Sequence, residues 1–195
     1  MKISEAQPTY YANRRELVDQ IRTLADRKEK AEQRFRITGD STFSDEAATL
    51  SLSLEATQKA FEENQKVLDS MMEQWVAVSN LESSKQQGEA AAKAFEDLGK
   101  IMTVFRRMVK GDIVPQTDEK KLMEYDNKLY TAAKNMQAMA MQMEKDRKKH
   151  KSLWEDEEEE TPPDPAEIAD NSEYAGELPD IEIPEVPDAQ GNSEI

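Results

Sequence analysis

The chain has 195 residues, with 41 acidic against 26 basic side chains, a formal charge of −15, one His and no Cys. That length suits one domain with an attachment, and the lack of Cys excludes a disulfide framework and thiolate metal sites while fitting a reducing compartment. No apolar run reaches the roughly 18–20 residues that span a bilayer, and no apolar core of a secretory signal opens the chain, so a cytoplasmic protein with no membrane span is expected.

The first helical pattern runs from about Tyr11 to Ile37. Leu17, Ile21, Leu24, Lys28, Ala31 and Phe35 step by fours and threes, as one buried stripe does, and the rest of the segment carries charges of both signs. Gly39 followed by Asp40, Ser41 and Thr42 reads as a helix stop and restart. A second helix is expected from about Ser44, where Asp45 and Glu46 favour the positive end of the helix dipole. Its stripe is Leu50, Leu54, Thr57, Phe61, Asn64, Leu68, Met71, Trp75 and Val78, an unbroken alternation that favours coiled-coil-like packing.

After Val78 the phase slips and the polar run Glu82–Gly88 follows, which fits either a stammer within one helix or a short loop. A third pattern, Ala91, Phe95, Leu98, Met102, Phe105 and Val109, ends at Lys110 and Gly111. Residues 112–116 form a loop that Pro115 closes to any helix from before it. A fourth helix is expected from Thr117 as N-cap, with the stripe Leu122, Tyr125, Leu129, Ala132, Met136, Met139 and Met143.

Residues 154–195 change character. They hold 16 of the 41 acids, no Lys or Arg and six of the eight prolines, which leaves 25 acids against 26 bases in residues 1–153. The acidity belongs to an appendage. Its many acids, repeated Pro and few large apolar residues bury too little surface to offset chain entropy, so disorder is expected.

Catalytic and metal-binding constellations are scarce. His150 stands alone in a run of lysines, which leaves no His pair for a di-iron or zinc site. No glycine pattern matches a phosphate loop, a dinucleotide turn or a nucleophile elbow, and the acids of 154–195 lack the spacing of a calcium loop. No catalytic, cofactor-binding or metal-binding residue is assigned, and a non-enzymatic protein is expected. Five methionines crowd the fourth helix; Met136, Met139 and Met143 fit a core stripe, whereas Met141 lies off it and is the better exposed contact. Lys145, Arg147, Lys148, Lys149 and Lys151 form a basic patch, and six consecutive acids from Glu155 compete for it. Nucleic-acid binding is therefore disfavoured, and shielding of the patch by the acids is the expected relation. Leu178, Ile181, Ile183 and Val186, spaced among prolines and acids, fit either a linear motif that orders on a partner or incidental aliphatics in a solvating tail.

The stretches Ser83–Met102 (SSKQQGEAAAKAFEDLGKIM), Lys110–Tyr125 (KGDIVPQTDEKKLMEY) and Leu129–Met136 (LYTAAKNM) resemble a family of small helical proteins from clostridia-like Gram-positive bacteria. The likeness spans roughly residues 40–145. It implies an all-helical fold and a bacterial origin, and carries over no functional residues.

The sequence thus predicts an all-α bundle of three or four long antiparallel helices over 1–153, with coiled-coil-like packing, and a disordered acidic tail over 154–195. Its expected function is protein–protein interaction through helix faces, as an adaptor, scaffold, assembly factor or chaperone-like module, with self-association left open. The alternative is a regulator that presents the tail as a polyanion to a basic partner. An enzyme with an unannounced site stands third.

Overall fold

The computed structural model describes residues 1–143, 147–155 and 161–187. Among these the chain is all-α: α1 (Ile3–Thr38), α2 (Ser41–Val109), α3 (Gln116–Tyr125), α4 (Asn127–Gln142) and α5 (Pro165–Asp170). It divides into two compact units, one made of residues 1–82 with 163–195, the other of residues 83–162.

In the first unit α1 and the start of α2 form a helical hairpin. Gly39 makes the corner with φ of 70°, a left-handed conformation that glycine adopts without a Cβ penalty, and its N–H closes onto Phe35 O at 2.8 Å. Asp40 restarts the chain: its carboxylate accepts from Thr42 N at 3.0 Å, and that bond holds its pKa below the usual carboxylate value.

The hairpin has a definite register. Ile3, Tyr10, Leu17, Leu24 and Ala31 recur every seventh residue and are all buried. Asn64 Nδ2 donates to Tyr10 O at 3.0 Å. Stepping seven residues along each helix from that bond sets Ile3 against Met71, Leu17 against Thr57 and Leu24 against Leu50, and every one of these side chains is buried. This is the heptad geometry of an antiparallel pair. The α2 stripe expected from Leu50 to Val78 is buried or half-buried throughout, whereas Phe35 of the α1 stripe is exposed.

Helix α1 begins eight residues before the expected start at Tyr11 and contains Pro8 in its second turn. Residues outside the hairpin anchor that early start. Ile3 N donates to Ser172 O at 3.1 Å, Tyr174 N donates to Met1 O at 3.1 Å, and Lys2 pairs with Glu173 in an antiparallel bridge.

Helix α2 continues without interruption through residues 79–90, where the sequence left a loop open. Residues 87–96 are exposed on every face, so among the described residues they are not held by burial. Packed turns on both sides remove the nucleation cost, and Ala, Glu and Lys propagate well. Glu96 and Lys100 add an ion pair one turn apart at 2.9 Å.

In the second unit the buried residues of α2 are Ile101, Val104 and Met108, one position off the expected stripe, whose Phe95, Leu98 and Met102 face outward. The expected single helix over 117–143 is two. Asp126 adopts φ −155° and ψ 109°, and its carboxylate caps α4 by accepting from Lys128 N at 2.7 Å and Leu129 N at 3.1 Å. A side chain that satisfies two orphan amides offers the backbone more than one further helical turn does. Leu122 and Ala133 complete this core, and Lys134 of α4 pairs with Glu119 of α3 at 2.7 Å. Gly111 ends α2 at φ 87°, and any Cβ placed there would lie 3.1 Å from the Ala140 Cβ.

The expected bundle of long helices is therefore replaced by a hairpin in one unit and shorter helices around the end of α2 in the other. The fully buried Asn64 sits on the hairpin seam, where its Oδ1 has no hydrogen-bond partner among the described residues. Asn64→Leu removes that desolvated oxygen and should raise the unfolding free energy by about 1 kcal/mol. Urea denaturation checks this, and a loss of more than about 1 kcal/mol would contradict the account.

Candidate functional site

Residues 171–187, expected to be disordered, follow an extended course along the α1–α2 hairpin. The reason lies in which side chains face inward: Ile181 is buried, Ile183 and Val186 are half-buried, while Glu177, Asp180, Glu182 and Glu185 are exposed. Average composition hides a segment whose few aliphatics are all seated.

The seat for this segment is a second heptad row on α2. Ala60, Val67 and Gln74 recur every seventh residue beside the hairpin seam. Ala60 and Val67 share a core cluster with Ile181, against which Tyr174 and Ile183 pack. Ile183 and Pro184 border a shallow hollow with Ala56, Lys59, Ala60 and Glu63. Val186 packs on the cluster of Leu24, Ala31, Ala47 and Leu50.

Side chains of the hairpin bond the backbone of the segment. The Gln74 amide donates to Glu173 O at 2.6 Å and accepts from Ala175 N at 2.9 Å, so it acts as a strand neighbour would. The Tyr10 hydroxyl donates to Pro179 O at 2.7 Å. Burial, and then the nearby Tyr174 and Asp180, push the Tyr10 pKa upward. Arg27 donates to Pro187 O at 2.7 Å. Just before the segment, Trp75 Nε1 donates to Asp170 at 2.8 Å, and at its first residue Lys2 Nζ donates to the Asn171 side-chain carbonyl at 2.8 Å. The segment thus runs parallel to α1, held mainly by its main chain and three aliphatic side chains.

Of the expected partner contacts, Ile181, Ile183 and Val186 are engaged within this unit. Leu178 and Met141 are exposed, the latter at the end of α4, where its carbonyl accepts from Arg147 at 3.3 Å. Met139 (67% exposed), Met136 and Met143 are also exposed, not core as their stripe implied. Phe95 is 76% exposed on α2.

The expected boundary at residue 154 falls inside a packed strap in the second unit. Ile113 N donates to Lys148 O at 2.8 Å and His150 N to Ile113 O at 3.1 Å, a parallel bridge between Ile113 and Lys149. The buried Asp118 carboxylate accepts from Ser152 Oγ and from Leu153 N at 3.1 Å. Trp154 Nε1 donates to Asp97 at 2.9 Å, and Leu153 and Trp154 pack on the core of this unit. The indole and Leu153 give this stretch an apolar anchor that a charge boundary overlooks. In the expected basic patch, Arg147, Lys148, Lys149 and Lys151 are exposed. Lys145 lies outside the described residues, as do acids 156–160.

His150 Nε2 lies 2.9 Å from Asp112 Oδ2. This contact is the main cause holding the Asp112 carboxyl below its ordinary value, helped by Lys148 N and opposed by burial. Among the described residues, no group of three or more His, Asp or Glu side chains is placed to hold a metal. No described helix is long and apolar enough to cross a membrane. No family model, curated protein or solved structure matches the chain.

A carboxylate with a lowered folded pKa stabilises the fold above its unfolded value, near pH 4, and that contribution is lost as the pH falls through the folded value. Release of the strap should therefore begin below about pH 4. Asp112→Asn should weaken the strap at neutral pH and flatten this pH step. Trp154 fluorescence in a Trp75→Phe background reads both effects, and an unchanged pH profile in the Asn variant would contradict the assignment.

Proposed function

We propose that the chain is a non-enzymatic protein–protein interaction module that recognises polypeptide through its helix faces. The observation that carries this reading is the α1–α2 face that takes an extended segment by its main chain, through Gln74, Tyr10 and Arg27. Backbone capture with a few side-chain seats is how sheet edges and grooves bind peptides in general. The exposed Phe95, Met139 and Met141 add apolar, adaptable contact surface in the other unit.

A second reading, in which the acidic segment is offered to a basic partner, draws support from the outward-facing Glu177, Asp180, Glu182 and Glu185. Ionic strength separates the two, since charge-led binding weakens steeply with salt and apolar contacts do not.

A photo-crosslinking residue at position 95, 139 or 141, introduced singly in the full chain in its host cells, should give discrete adducts with another protein. The same residue at the exposed, solvated Glu62 should not. Adduct patterns indistinguishable from those at position 62 would contradict the reading.

A further inference from the structure

We infer that residues 171–187 act as a built-in ligand, and that the α1–α2 groove is a receptor site for an extended acidic segment of another protein. This rests on the reading of the chain as an interaction module, and adds which surface binds and what chemistry it takes.

The bonds that hold the segment are of the kind a different chain can reproduce. Gln74, Tyr10 and Arg27 reach only carbonyls and one amide of the segment, at Glu173, Ala175, Pro179 and Pro187, and those groups exist in any sequence. Selectivity then falls to the seats. They take a branched aliphatic at the position of Ile181, a second two residues on, and a third at Val186. The two-residue step from 181 to 183 requires an extended ligand, since only a period of two puts these positions on one edge. Pro179, Pro184 and Pro187 hold such a conformation open at low entropic cost.

Bases of the groove stand beside acids of the segment with carboxylates among them, and Arg15, Glu16 and Asp19 line the hollow beside Val186. Lys59 borders the hollow that Glu182 and Glu185 border, and Lys66 borders the one beside Glu177. Glu63 lines both hollows as well, so backbone and apolar contacts lead and charge tunes.

The Tyr10–Asn64 bond belongs to the two helices alone. Ile181 shares one buried cluster with Ile3, Tyr10, Leu17 and Met71, and Val186 packs on Leu24 and Leu50. A new occupant therefore has to refill these aliphatic seats. While the tail sits there, a partner competes with a tethered ligand, whose effective concentration reaches the millimolar range for short flexible connections. The tail thereby sets a threshold that only a matching segment overcomes.

The test uses the full chain and a fluorescently labelled peptide of residues 171–187. Wild type should bind the peptide weakly in anisotropy titrations, and the full-length Ile181→Asp/Ile183→Asp variant, whose tail no longer fits, about 100-fold more tightly. A peptide carrying the same two Asp substitutions should bind neither protein. Circular dichroism of the variant is read alongside. A variant that keeps its helicity yet fails to bind the peptide overturns the inference. So does a variant that loses its helicity, since the tail is then an indispensable part of the core. A wild-type mass that doubles with concentration and is restored to monomer by excess peptide would assign the groove to a second copy, which also overturns it. In each of these cases adducts at positions 95, 139 and 141 would still uphold the broader reading, and their absence would remove it separately.

Discussion

The fold of the first unit depends on one register. The bond from Asn64 to the Tyr10 carbonyl fixes how α1 lies against α2, and the seven-residue step then brings Ile3, Leu17 and Leu24 onto Met71, Thr57 and Leu50. Two helices paired in this way bury one stripe each and leave their flanks wet. The adjoining row of Ala60, Val67 and Gln74 is such a flank, and small or flat side chains there leave room for a third element. The extended segment 171–187 fills it. Slip the hairpin by one residue and Tyr10, Arg27 and Gln74 no longer converge on the same main chain.

The second unit solves a similar problem by different means. The end of α2 cannot cover itself, so the chain doubles back through Gly111, packs α3 and α4 against Ile101, Val104 and Met108, and closes with the strap 147–155. Asp112, Asp118 and Asp97 each accept a hydrogen bond from the strap. Both units thus use a returning piece of non-helical chain to finish a helical core. They differ in what the returning piece offers: the strap brings Leu153, Trp154 and buried carboxylate contacts, whereas the tail brings mostly its main chain.

Much of the helical content was legible in the sequence, most clearly where one physical signal dominated. The stripe from Leu50 to Val78 and the stop at Gly39 required only periodicity and a left-handed glycine. The α2 stripe after Ala91 was misread because its regular heptad exposes Phe95, Leu98 and Met102 and only half-buries Phe105, while full burial falls on Ile101, Val104 and Met108 between its members. Asp126 was overlooked because its capping role competes with an apolar pattern that runs straight through it. The tail was the largest departure. Its acids, counted together, argue for disorder, but Ile181 and Ile183 align on one edge once the chain is extended, and Val186 packs on a separate cluster. They belong to the four residues read as either a linear motif or incidental aliphatics; these three pack on the α1–α2 face of the same chain, whereas Leu178 is exposed.

The central claim is that this segment occupies the α1–α2 groove as a ligand, separable from the helices beneath it. Native-state hydrogen exchange on the full chain tests that most directly. Tyr174 N–H and Ala175 N–H, bonded to Met1 O and Gln74 Oε1, should be protected, yet exchange through a smaller opening than the amides of Leu17 and Leu24 in the hairpin core. Exchange at free-peptide rates would contradict the docking, and exchange only through the same global opening as Leu17 and Leu24 would contradict the separability.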